Sequence, residues 1–514
     1  MKWSFRSATA ALGLGIAATS VAQPPTELPA IPIAPSKVTP PGPAIAVSPV
    51  PVPSATQPTK LANQPPKSDS PVPPNTAPPP RGPSDAPVVI GPDQPVDVVP
   101  EHLGSYTPGW SEFDLRPAYP GQGVPCGHGC KSLGDVVMPS LITLFPQDGR
   151  FRVYGWADTG IAINVSNPGS KYNGPYSAVD RTQEWMFNQS YTVLERLLPT
   201  DGSIGWGFRA DLLFGQDFFL PQSRGIELDP SGNQRWNGTY YGLALPQSYL
   251  ELGSDVWSLK VGRFYSPVGY ESVMALNNFF YTHAYSYMFG QPYTLWGGLL
   301  TVQLTKNWQL LGGLTNGWDT LVGDFNNLNA LGGIKYTSDS RHWWASFALI
   351  SGKNDSNPAQ LANVPTVAAN RTRYSLLFGL LPGGPGGAWE YVFHHYYGWQ
   401  EDGTSTGNFA RWYGIDQYLF YRLTDTIRLG SRFEWFRDED GTRVGLNRAN
   451  NPNKPPLPGN YFSLATGVNW TPHPNIILRP ELRWDFTSNT VRNAFSDGRN
   501  GSQLLLAGDV IIRY

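Results

Sequence analysis

Residues 203–212 alternate without a break, and Phe214 continues the apolar face. Ile204, Trp206, Phe208, Ala210, Leu212 and Phe214 share one face, while Ser203, Gly205, Gly207, Arg209 and Asp211 share the other. A side-chain period of two belongs to an extended strand, whose successive residues point to opposite sides. One face here is apolar and aromatic. The other carries charge, so it must meet water or fixed polar partners. The pattern returns at 256–264, where Trp257, Leu259 and Val261 oppose Ser258, Lys260 and Gly262. In 474–486, Ile476, Leu478, Leu482, Trp484 and Phe486 oppose Arg479, Glu481, Arg483 and Asp485. In the closing run, Leu504, Leu506, Val510 and Ile512 oppose Gln503, Asp509 and Arg513.

Such a chain folds as all-β. It has 514 residues with 55 Gly and 50 Pro, too many helix breakers for a mostly helical protein. A net charge of -2 lacks the basic excess of a nucleic-acid binder. No run of about 18 apolar residues would make a membrane helix. Alternation suits either a soluble sandwich or a membrane barrel. In a sandwich the apolar face is inside, and in an outer-membrane barrel it faces lipid.

Several features select the barrel. Lys2 and Arg6, the apolar stretch from Ala8 to Ala18 and the small-residue site Ser20-Val21-Ala22 read as a cleaved export signal over 1–22. Aromatics gather near run ends, as at Trp343-Trp344, Tyr396-Tyr397 and Trp412-Tyr413, which suits interfacial girdles. Connections alternate in length: residues 471–474 make a tight turn, and 438–460 a long Asn/Pro/Gly loop. The chain ends on Tyr514, an aromatic terminus expected to serve as the assembly signal. Amphipathic runs predict about 16 strands in an up-and-down antiparallel transmembrane barrel over 150–514. A barrel of that size encloses water rather than packing itself full.

The chain ahead of the barrel is different. Residues 24–100 hold 25 of the 50 prolines and no aromatic residue. A segment so composed cannot bury a core, so 23–100 is expected to be a disordered polyproline-like linker. Its possible use is contact with the cell wall. Residues 101–149 form a connector carrying Cys126 and Cys130 around His128. In an exported protein a local disulfide is the expected state. A metal site would need two further ligands, with only His102 and His128 near in sequence.

At Ser258–Glu271 the sequence SLKVGRFYSPVGYE resembles the signature of the OmpL-like family of β-barrel porins, the porin-2 type. FRVYGWADTGIAIN at 151–164 resembles that family's first strand. SRFEWFRDEDG at 431–441 resembles a late strand, NWTPHPNIILRPELRWD at 469–485 the penultimate hairpin, and LLLAGDVIIRY the last strand. Members usually end in Phe, where this chain has Tyr514. The resemblance spans 150–514 and implies a porin-like channel in the outer membrane, without implying a substrate.

The segment after the fifth strand, Tyr265 to Tyr293, is long and aromatic. It is expected to fold inward and narrow the lumen, with Glu271 exposed to the channel. The alternative is that Glu271 is an ordinary solvated loop carboxylate or a structural partner of an arginine. Register places Arg209, Asp211, Lys260, Arg263, Arg428, Arg432, Glu434, Arg479, Glu481, Arg483 and Asp485 on the lumen wall. Residues 101–514 hold 31 Lys plus Arg against 34 Asp plus Glu, which suggests cross-strand pairing more than a uniform field. No G-x-S-x-G elbow and no His-Glu-x-x-His pair is present, and His394 and His395 point to opposite faces. No enzyme, cofactor, metal or nucleic-acid partner is therefore expected. The leading expectation is passive diffusion of small hydrophilic solutes, with outer-membrane lipids and the barrel-assembly machinery as partners and a homotrimer as a candidate state. The alternative is a barrel-anchored surface or cell-wall interaction protein using aromatic loops or the Pro-rich arm.

Overall fold

The computed structural model describes residues 150–514 apart from 176–177, 200, 323–327, 355–368, 385–386, 405–406, 445–456, 489 and 491–492. The export signal, the Pro-rich linker and the connector with Cys126 and Cys130 lie outside the described residues. Among those described, one antiparallel sheet of sixteen strands closes on itself. The strands are β1 Phe151–Asn164, β2 Trp185–Arg196, β3 Gly205–Gly215 and β4, which runs in two pieces, Gly242–Ala244 and Ser248–Gly253. Next come β5 Trp257–Tyr265, β6 Thr294–Gln303, β7 Trp308–Thr315 and β8 Asn329–Thr337. They are followed by β9 Trp343–Asn354, β10 Ala369–Leu380, β11 Trp389–Gln400 and β12 Ala410–Arg422. The last four are β13 Ile427–Asp438, β14 Gly459–His473, β15 Ile476–Ser488 and β16 Ser502–Arg513.

Both pieces of β4 pair with β3, and residues 245–247 between them bulge out of the ladder. The barrel closes where β1 pairs with β16, from Trp156 opposite Arg513 to Asn164 opposite Leu505. Tyr514 extends that seam by one residue. Its N–H donates to the Gly155 carbonyl at 2.9 Å, and its own carbonyl accepts from Gly155 N–H at 3.0 Å.

Turns such as 254–256, 304–307, 423–426 and 474–475 lie at one end, and long connections such as 165–184, 216–241 and 266–293 at the other. In outer-membrane barrels the short turns face the periplasm and the long loops face outside. The outward face is apolar, with Leu212, Leu250, Val261, Leu376, Leu482 and Leu506 exposed. Aromatics ring this face twice. Near the short turns Trp308, Tyr336 and Trp343 stand 4.7 and 4.9 Å apart in succession, and Trp389 meets Tyr421 at 4.5 Å. Nearer the long loops Tyr374, Tyr397 and Tyr413 oppose one another across β10, β11 and β12. Adjacent aromatics therefore divide between faces. Trp343 and Tyr397 meet lipid, while Trp344 and Tyr396 are buried on the inner side.

Candidate functional site

The lumen wall is polar because every second strand residue points inward, and those positions carry most of the strand charge. Arg209 Nε donates to Asp211 Oδ1 at 2.8 Å. Arg483 Nε donates to Asp485 Oδ1 at 2.8 Å. Arg479 pairs with Asp509, its direct cross-strand neighbour, and Arg428 with Glu390. Lys260 lies 4.7 Å from the Tyr249 ring. The near balance of sign thus resolves into pairs.

The segment 266–293 folds into the interior and bonds to both walls. It contains one short helix, α1 Tyr285–Gly290, and almost all its side chains are buried. Its hold on the β10–β15 wall is polar. Glu271 Oε1 accepts from Arg432 Nη1 at 2.8 Å and from the Tyr418 hydroxyl at 3.0 Å. The other oxygen accepts Ala284 N–H at 2.9 Å and faces His283 Nδ1 at 3.0 Å. Thr282 N–H donates to Glu481 at 3.0 Å and Ser286 N–H to Glu434 at 2.8 Å. Arg479 Nη1 donates to the carbonyls of Ala275 and Asn278 at 2.8 and 2.7 Å. Arg483 Nη1 donates to the His283 carbonyl at 2.6 Å. On the opposite wall, Gln189 Nε2 donates to the Val273 carbonyl at 2.7 Å, and the Tyr281 hydroxyl donates to Asn188 at 3.0 Å.

Glu271 is therefore inside the barrel but not open to the channel, at 8% exposure. Its arginine partner is Arg432, at 2.8 Å. Burial alone would raise the Glu271 pKa. The Arg432 guanidinium, His283 and the Ala284 N–H outweigh it and hold the carboxyl at about 2.

One wall assignment needs correction. On a regular strand Lys260 and Arg263 cannot share a face, and Gly262 between them has φ of 137°, a conformation other residues rarely adopt. Arg263 is fully buried. It donates to Glu227 Oε1 at 2.7 Å and to the Leu245 carbonyl at 2.6 Å, with Pro221 as a third acceptor. Its work is to hold the 216–241 connection, not to line the passage.

The sequence reading named His394 but not the residues it meets inside the barrel. His394 Nδ1 lies 2.8 Å from Asp416 Oδ2, and its Nε2 lies 2.9 Å from Ser375 Oγ. These spacings resemble a hydrolase relay, but the three sit on adjacent strands, buried under α1, with Ser286 also donating to Asp416 at 2.6 Å. Ser375 lies mid-strand in the ladder rather than at a sharp turn beside free N–H groups, which acyl transfer would need. Only the strand register brings these residues together, and no local motif announces it. Arg371 and Arg373 were also missed, although their two-residue spacing at the start of β10 was a readable sign. Arg443, on a loop, carried none.

A wall of paired charge, a lipid-facing exterior and an inward segment between opposite walls are now in place. The family model described as putative beta-barrel porin-2, OmpL-like, matches residues 150–514. The chain belongs to this porin family. The match takes in all sixteen strands and the inward segment. No curated protein matches the chain in sequence. Among solved structures, the outer membrane channel DcaP of Acinetobacter baumannii is similar at 12% identity and a TM-score of 0.48, covering 72% of this chain and 99% of that one. An anion-selective porin from Comamonas acidovorans is similar at 10% identity and a TM-score of 0.46, covering 71% and 99%. Salmonella typhi OmpF, in complex with daunomycin, is similar at 13% identity and a TM-score of 0.46, covering 72% and 99%. Nothing functional is carried over from these structures. As a member of its family, the OmpL-like porin is an outer-membrane channel for passive diffusion.

Proposed function

We propose that segment 266–293 is the constriction of this channel, and that the charges gripping it set the size and ion limits for small hydrophilic solutes. The observation that carries this reading is the Glu271–Arg432 contact, which fixes the segment between opposite walls. Diffusion needs no cofactor or energy source. The constriction in this reading is anchored by Glu271, with Arg209, Asp211, Lys260, Arg428, Arg432, Glu434, Arg479, Glu481, Arg483 and Asp485 as the wall residues around it. Single-channel recording of the reconstituted protein tests it. Glu271→Gln and deletion of 272–290 each change conductance or ion selectivity. If both leave the two quantities unchanged, the segment is not the filter.

One observation favours a second reading, a barrel that only anchors. The segment bonds to both walls and could close the passage, leaving the loops or the Pro-rich arm to bind cell wall or matrix. A closed wild type with a conducting 272–290 deletion would support it. Export by a cleaved signal belongs to the leading reading, with the mature chain starting at Gln23. So does Tyr514 as the residue read during assembly, supported by its place at the closing seam. A homotrimer is the proposed state. Native mass measurement checks it.

A further inference from the structure

Three buried arginines at the long-loop end of the lumen stand apart from the paired wall. Arg371 and Arg373 open β10, and Arg443 follows β13. Each has one nitrogen in use. Arg371 Nε donates to Gln400 Oε1 at 2.8 Å. Arg373 Nη1 donates to the Val268 carbonyl at 2.8 Å and to Gln291 Oε1 at 3.1 Å. Arg443 Nε donates to the Phe289 carbonyl at 2.6 Å. Four further nitrogens are buried and have no acceptor: Arg371 Nη2, Arg373 Nε and Nη2, and Arg443 Nη1. Among the described residues, none of the three forms an ion pair with a carboxylate, unlike Arg209, Arg263, Arg428, Arg432, Arg479 and Arg483.

The cluster is one locus. Arg371 and Arg443 lie 4.9 and 5.5 Å from the same Trp318 ring, and Arg443 is 4.5 Å from Trp412. Arg443, Trp412 and Arg373 hold residues 289, 290 and 291 in turn, where the inward segment climbs back to β6. The carboxylates nearby are engaged by backbone. Asp319 Oδ1 accepts the N–H groups of Tyr293 and Thr294 at 3.0 and 2.7 Å. Asp438 accepts those of Thr442, Arg443 and Val444. Native interiors rarely leave buried donors unmet, and an unmet guanidinium is among the costliest to leave so. Planar guanidinium forks match oxyanions that offer two or more acceptor oxygens.

We propose that Arg371, Arg373 and Arg443 form a binding site for a small oxyanion, the carboxylate or phosphate group of a solute entering from the long-loop side. The site deepens the channel reading by naming the solute class, and rests on that reading for the solute's route but not for binding. Burial pulls the Arg443 guanidinium down to about 10, so it remains protonated at neutral pH, and a bound anion would favour that charge further.

Trp318 and Trp412 supply a reporter that needs no current. Full-length protein in detergent is titrated with sodium phosphate, sodium acetate and, as control, tetramethylammonium chloride at constant ionic strength. Tryptophan emission is expected to change saturably with phosphate, acetate or both, and not with the cation. Which anion saturates identifies phosphate or carboxylate as the group read. Arg373→Gln and Arg443→Gln are each expected to weaken the response about tenfold, as loss of a charged hydrogen bond should. Lys306→Gln, at an exposed turn, leaves it unchanged. Far-ultraviolet dichroism confirms that each variant keeps its barrel. A response that never saturates with either anion, or a saturable one that both arginine variants retain, overturns the site. Absence of current in bilayers with saturable emission in detergent would instead count against the channel reading alone.

Discussion

Glu271 shows how one carboxylate can fix a long segment. It binds a wall arginine, a wall tyrosine and its own segment's backbone at once. Removing one partner of a buried pair costs about 3–5 kcal/mol, because the other charge is left behind. Glu271→Gln should therefore lower the unfolding midpoint in denaturant and raise open-channel noise. The pH dependence has a definite sign. The folded pKa of about 2 lies below the ordinary 4.5, so the contribution is full above about pH 4.5 and fades as pH falls toward 2. Conductance should stay level from pH 7 to 5 as far as this pair is concerned, and become noisy only in stronger acid. A change confined to pH 6–7 would point to another group. At this scale the sequence was partly legible. Strand parity identified Arg432, Glu481 and Asp485 as inward-facing, because a lumen wall needs only alternation. Parity could not place Arg263, since Gly262 breaks regular strand geometry. It could not reveal that Glu271 meets Arg432, 161 residues away.

At the scale of elements, the strands hold the inward segment by shape as well as charge. Gly398 lies under Trp412, where an added Cβ would stand 2.2 Å from the indole ring. That indole donates to the Gly290 carbonyl at 3.0 Å, at the end of α1. Gly398→Val should push Trp412 aside, release Gly290 and cost about 1–3 kcal/mol through overpacking. Trp emission and thermal unfolding would both register it, whereas a variant with wild-type melting would show that the indole has room to move. Strand positions were readable because lipid and water on opposite sides force alternation over each run. Thus the alternation over 474–486 becomes β15 at Ile476–Ser488. The path of 266–293 was readable only as length and aromatic content. Its course is set by acceptors and donors on well-separated strands, from Gln189 on β2 to Arg479 on β15, which no local pattern encodes.

For the whole molecule, sixteen strands leave an interior too wide for wall side chains alone, and the inward segment takes up that space. Two aromatic belts bound the apolar exterior, so the barrel's depth in the bilayer follows from where those belts sit. Trp343→Ala combined with Trp389→Ala should weaken the belt near the short turns. Refolding into lipid vesicles should slow, with soluble-state aggregation rising; unchanged refolding would mean the remaining belt suffices. In the proposed channel, solutes pass beside the gripped segment. Planar-bilayer recording of the reconstituted protein tests it most directly. The wild type should show stepwise, ohmic conductance that rises severalfold when 272–290 are deleted. A silent wild-type barrel, or conductance that the deletion leaves unchanged, would contradict it.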